Sequence, residues 1–249
     1  KVELYKRFQI DATIHPDTLD FDLQIDDTNG SCRELLRRCG VRDQDIVVLQ
    51  ATRIVRRKNI ELAMDVVSEM ARKTKRRVVL VLTGYAEKRD LAYQQKLQNY
   101  AKVLGINIVE LNGLSSSFAK ETGNVCNLMS MYPLADVITY PSQYEGFGNQ
   151  FLEAVYAKKP IIIWEYPVYS ADIEPLGFQA ISLGDSVTFD AITGLAKVGS
   201  DVVSKAASMA LDLLQNLAKR NQMVDNNYEL GKKYFSYQNT TVLWNKLLK

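Results

Sequence analysis

Histidine is almost absent from this chain: His15 is the only one in 249 residues. That removes His-based catalytic triads and multi-histidine metal sites from within it. Cysteine is scarce as well. Cys32, Cys39 and Cys126 are odd in number and form no C-x-x-C pair, so neither a disulfide framework nor a zinc site is expected, and a reducing cytoplasm fits. No apolar run reaches the length of a membrane-spanning helix. The opening residues are charged with no apolar segment behind them, so no signal peptide is expected. The chain does not open with methionine, and it is expected to start inside a longer protein. A net charge of +2 is too small to argue for nucleic acid as a main partner.

What is present is a 47% hydrophobic fraction, enough for a sizeable core. Short apolar runs at 46–49, 78–82, 106–109, 137–140, 161–164 and 178–183 read as strands. Ile60, Ala63, Val67 and Met70 share one helix face; Leu97, Tyr100, Ala101 and Leu104 mark another helix, closed by Gly105. A further helical stretch lies around Leu128 to Tyr132. Strands that are apolar throughout are covered on both faces, so the fold class is α/β: a doubly wound, mostly parallel Rossmann-like sheet with helices on both faces. Val202, Ala206, Met209, Leu213 and Leu217 then line one long helix, and Val242, Leu243 and Leu247 a last one. The first 45 residues break the alternation. Asp17, Asp20, Asp22, Asp26 and Asp27 sit in an irregular stretch before an Asn29-Gly30 turn, and Ile25 and Leu36 occupy the positions where a calcium loop needs ligands. A solvated linker is the reading.

Ligands in such sheets bind at the carboxyl ends of the strands. The loop after the first strand carries Arg53, Arg56, Arg57 and Lys58 directly before a helix, a setting suited to phosphate. The loop after the 137–140 strand runs Pro141-Ser142-Gln143-Tyr144-Glu145-Gly146-Phe147-Gly148-Asn149 into a helix that contains Glu153. Its glycines let backbone approach a ligand and leave amides free at the helix start. Carboxylates repel phosphate but accept bonds from hydroxyls. Cations for phosphate beside carboxylates for hydroxyls describe a sugar nucleotide.

Glu145 and Glu153 form an E-x7-E pair in a Pro-Ser-x-x-Glu-Gly-Phe-Gly context, Arg53 and Lys58 an Arg-x4-Lys pair, and Asp136 an Ala-Asp position. On these residues the chain resembles the C-terminal domain of family-four retaining glycosyltransferases with the GT-B fold. The match runs from about Ile14, where the 14–21 stretch resembles that family's interdomain segment with Asp17 in place of the usual Asn. The resemblance implies roles. Arg53 and Lys58 would hold the donor diphosphate and stabilise the charge of the leaving group, which with Glu145 makes them the catalytic candidates. Glu145 would contact the transferred sugar and Glu153 the ribose. Phe147, Gly148 and Asn149 would present backbone groups to sugar or phosphate. Gly113 and Leu114 lie where the base rests. The implied division is a linker with the end of a missing N-terminal domain (1–45), a nucleotide-sugar-binding domain (46–220) and a helical segment packing back toward the missing domain (221–249). No metal and no cofactor is expected beyond the donor substrate, a nucleoside-diphosphate sugar. The missing domain would carry the acceptor site.

Two other functions stand as alternatives: a sugar-nucleotide-binding module without chemistry, and a GT-B-type sugar-nucleotide epimerase, which would share the fold but should lack the paired glutamates. Two segments stay open. Residues 164–169 (Trp-Glu-Tyr-Pro-Val-Tyr) either wall the sugar or pack over the sheet edge. Arg72, Lys73, Lys75, Arg76 and Arg77 are either a solvated helix end or a contact for an anionic membrane surface.

Overall fold

The computed structural model describes residues 2–12, 15–25, 27 and 30–247; the features read above on Ile14, Asp26 and Asn29 lie outside the described residues. The apolar runs form β1 (Ile46–Gln50), β2 (Val78–Leu82), β3 (Asn107–Glu110), β4 (Val137–Tyr140), β5 (Ile161–Ile163) and β6 (Ile181–Ser182). β1, β2, β4 and β5 are buried at every position, because helices cover both faces of the sheet. The order is β3-β2-β1-β4-β5-β6 and every pairing is parallel. The winding reverses between β1 and β4, which leaves a crevice beyond their carboxyl ends.

The helices are α1 (Val2–Phe8), α2 (Ser31–Arg38), α3 (Ile60–Lys73), α4 (Leu91–Leu104), α5 (Leu114–Thr122), α6 (Asn149–Tyr156), α7 (Ser200–Gln215), α8 (Leu217–Phe235) and α9 (Tyr237–Leu247). The apolar stripe of α3 is fully buried, as its spacing requires, and Gly105 ends α4 in the left-handed conformation. α7 packs on α3, its buried side carrying Ala206, Ala207 and Ala210. A short hairpin, β7 (Thr188–Phe189) with β8 (Ala196–Lys197), follows β6 and has no counterpart in the sequence reading.

Several expectations change. Cys32 and Cys126 are joined in a disulfide and Cys39 is free. The two partners are 94 residues apart, so spacing could not pair them, and the cysteine count carries no argument for a reducing compartment. The stretch read as linker contains α2, which buries Cys32, Leu35 and Leu36. The Asp27 carboxylate accepts from the Cys32 and Arg33 amides, both at 2.9 Å, so at least this aspartate serves as a helix cap. The single long helix expected through Leu217 is broken at Asn216, whose side chain accepts from the Lys219 amide at 3.0 Å and starts α8. The division at 220/221 therefore falls inside α8, which packs on α6.

Most of the basic cluster is tied to the protein itself. Arg72 meets Glu69 at 3.1 Å, Lys73 donates to Ser204 and Ser208, Arg76 to the Gln44 and Asp45 carbonyls, and Arg77 to the Asp45 carboxylate. Among the described residues no helix is long and apolar enough to cross a membrane.

Candidate functional site

The loops after β1 and β4 are zipped together by their own polar groups. Gln50, fully buried, donates to the Lys58 carbonyl at 3.1 Å and to Thr52 Oγ1 at 3.2 Å. Asn59 sits at φ +45°, a conformation asparagine tolerates better than most residues, and its amide donates to the Pro141 carbonyl at 3.0 Å. The Gln143 amide donates to the Arg57 carbonyl at 2.9 Å. Gly84, at the end of β2, lies so close to this loop that a Cβ would overlap the Thr52 carbonyl.

This zipper brings Lys58 onto Glu145. The ammonium donates to Glu145 Oε1, and both side chains are almost completely buried. Arg57 adds a second cation, 3.0 Å from the same oxygen, while also donating to the Tyr144 carbonyl at 2.7 Å. Burial pushes the Glu145 carboxyl up, but bonds from Lys58, Ser142 and Arg57 together with the Lys58 charge outweigh it, so the group lies below the usual carboxylate range. Burial lowers Lys58, and its bond to Glu145 offsets only part of that. Arg53 takes a different course: it is 45% exposed and pairs with Glu87 at 2.6 Å. Arg56 turns away to the Tyr93 ring and the Gly194 carbonyl.

The second glutamate reaches the crevice from α6. Glu153 accepts from the hydroxyl of fully buried Tyr132, and burial raises its pKa against the lowering effect of that bond. The turn into α6 depends on Gly148, at φ +132°, where a Cβ would overlap the Tyr166 hydroxyl. That hydroxyl donates to the Phe147 carbonyl at 2.7 Å. Gly148→Ala is therefore expected to destabilise the protein by about 2–3 kcal/mol through backbone strain and this clash. Tyr166→Phe alone should cost about 1 kcal/mol for the lost bond, yet in the alanine background it should recover part of the loss. Urea unfolding of the four proteins checks this, and additive losses would contradict it.

Arg53, Lys58, Glu145, Phe147, Gly148, Asn149 and Glu153 all line one cavity of about 900 Å³. Its other walls come from His15 and Asp17 in the N-terminal segment and from Tyr234, Phe235 and Asn239 near the C-terminus. Gly113 and Leu114 are not among its lining residues. α5, whose serines and lone buried Phe118 give no apolar stripe, starts at Leu114 and places it against a separate hollow with Leu35 and Phe118. A hollow of about 360 Å³ adjoins the main cavity instead, with Gly84, Tyr85, Leu111 and Ser115, and it shares Thr52, Arg53 and Leu128 with it. The 164–169 segment packs: Trp164, Tyr166 and Tyr169 are buried, and only Val168 borders the cavity.

Three site residues had no individual role in the sequence reading. Arg57 stood in the basic loop, but nothing distinguished it from Arg56. Tyr132 and Gln150 gave no signal, because their roles arise from packing. Gln150 lines the cavity, and its buried carbonyl oxygen has no hydrogen-bond partner among the described residues.

Residues 33–175 match the family model described as glycosyl transferases group 1. The mannosylglucosylglycerate synthase of Petrotoga mobilis is 35% identical over 98% of this chain and 59% of its own length. That of Thermotoga maritima is 36% identical over 95% and 56%. The chain thus spans a little over half the length of these relatives. Among solved structures, Anabaena HepE in complex with UDP and glucose superposes with a TM-score of 0.65 at 14% identity, covering 93% of this chain and 55% of that one. The C-terminal domain of the group 1 protein LpcC from Francisella tularensis gives 0.62 at 17%, covering 88% and 99%. These likenesses establish a shared fold.

Proposed function

This chain belongs to the group 1 glycosyl transferases, and we propose that it is the donor-binding half of a retaining enzyme that moves a sugar from a nucleoside diphosphate to an acceptor. The observation that carries the reading is the pairing of Lys58 with Glu145, flanked by Arg57, in the same cavity as Glu153. An ammonium has three N–H donors, so Lys58 can keep Glu145 and still bind a phosphate oxygen. Arg53, already at the rim, would close on the second phosphate. The start of α6 adds its free amides and the positive end of its dipole. These groups stabilise negative charge where it grows, on the diphosphate as the glycosidic bond breaks.

Glu145, held ionised by two cations, would accept bonds from the hydroxyls of the transferred sugar. Glu153 would do so from the ribose, and the adjoining hollow beside Tyr85 and Leu111 has room for the base. The activity named for the two relatives sets the product to test first, a mannosylated glucosylglycerate.

Glu153→Gln tests the ribose assignment. It keeps the shape and removes the charge, and bonds worth about 1.5–3 kcal/mol to a charged partner should weaken. A clear fall in nucleoside-diphosphate affinity is expected even without the sugar. Unchanged affinity by calorimetry in a folded variant would remove Glu153 from the site.

A further inference from the structure

We infer that Tyr132 is a positioning residue for nucleotide binding, its hydroxyl holding Glu153 so that the other carboxylate oxygen meets the ribose hydroxyls. The inference rests on the donor-site reading above. Tyr132 lies in a 3₁₀ segment, Met129–Leu134, that contains Pro133. The segment is fixed at its far end by Lys159, which donates to the Pro133 carbonyl at 2.9 Å. At its near end it follows Leu128, which borders both the cavity and the adjoining hollow.

A fully buried tyrosine hydroxyl needs a hydrogen-bond partner. Among the described residues the partner of this hydroxyl is Glu153 Oε2. Glu153 Oε1 has no bond among the described residues, and the side chain lines the cavity. A glutamate has three side-chain torsions, and fixing them when a ligand arrives costs binding free energy. A rigid ring buried in the core behind the cavity fixes them beforehand. One oxygen is held from inside the core, which leaves its twin for the ligand. A tyrosine that merely filled space would not need its hydroxyl on the one carboxylate of α6 that faces the cleft.

The test is calorimetry of the wild type, Tyr132→Phe, Glu153→Gln and the double variant. The probes are UDP and GDP, each with its 2′,3′-dideoxy analogue. Tyr132→Phe should weaken the ribose-bearing diphosphate about three- to tenfold and leave the dideoxy analogue unchanged. It should cause no further loss in the Glu153→Gln background, since it acts through that carboxylate. The ratio of ribose-bearing to dideoxy affinity, in which titration of the phosphates cancels, should also change with pH. As pH falls it should collapse earlier in Tyr132→Phe, because the lost bond was holding the Glu153 carboxyl down.

Equal losses for both probes, or losses that add fully to those of Glu153→Gln, would make Tyr132 a packing residue and overturn the inference. A wild type that binds the two probes equally well would overturn it through Glu153 while leaving the diphosphate site standing. A wild type that binds neither diphosphate would remove the donor site itself, and the inference with it.

Discussion

Lys58→Ala is expected to weaken nucleoside-diphosphate binding about 10- to 100-fold, the worth of a buried charge-assisted bond. Affinity for the bare nucleoside should stay within about twofold, because the lost contact is to phosphate. Arg53→Ala should cost less, about three- to tenfold, since Arg53 is half exposed and must leave Glu87 to bind. Glu145→Ala should spare the nucleoside diphosphate and act on the sugar-bearing donor.

The same lysine variant has a stability signature. Removing the ammonium leaves the buried Glu145 facing Arg57 alone, a loss of about 3 kcal/mol, the low end for a broken buried pair because one cation remains. Glu145 lies below its ordinary value of 4.5. Its pairing therefore stabilises the fold above that value, and the stabilisation is lost as pH falls through the folded-state pKa. Wild type and Lys58→Ala should accordingly converge in stability on acidification below about pH 4.5. Equal losses of diphosphate and nucleoside affinity in Arg53→Ala, Lys58→Ala and Glu145→Ala would indicate misfolding and would break the site map.

The second large effect concerns turnover. On the proposed reading the cavity supplies a donor wall, whereas transfer needs an acceptor held in line with the anomeric carbon, and losing that positioning removes about 10⁵-fold or more in effective concentration. With a sheet and core of its own, the chain should bind a sugar nucleotide and show no appreciable transfer. Adding the part of a relative that this chain does not span, fused or as a second chain, should restore activity. Efficient transfer by these 249 residues alone would show that the acceptor site lies within them.

The sheet was legible in the sequence because buried parallel strands leave uninterrupted apolar runs, and all six appear at or close to their expected positions. α3 and α4 were legible from the spacing of their apolar residues, although α3 buries more than the stripe, with every residue from Ile60 to Met64 covered. α5 was not, as it buries only Phe118 and is rich in serine. The break at Asn216 was hidden because Leu217 continues the spacing of the stripe while standing 57% exposed. In the site, the glutamate pair and the basic loop could be read because a cluster of cations and a two-glycine turn each stand directly after an apolar strand run. The Lys58–Glu145 contact spans 87 residues, and it exists because Asn59 and Gln143 join two loops that are distant in sequence. The Tyr132–Glu153 bond lies in the segment read as helical around Leu128 to Tyr132, which forms a 3₁₀ turn at Met129–Leu134, and a helical reading does not say what a buried hydroxyl meets. Gly113 and Leu114 do not line the main cavity, because α5 starts at Leu114 and carries it to another hollow.

The central claim is that the cleft between the β1 and β4 loops grips a nucleotide through its diphosphate. The most direct measurement is calorimetric titration of the wild-type chain with UDP, GDP and ADP, each against its own nucleoside. At least one diphosphate should bind about 100-fold or more tightly than its nucleoside, the contribution expected from two charge-assisted phosphate contacts. A chain that binds none of the three, or that binds diphosphate and nucleoside equally, would contradict it.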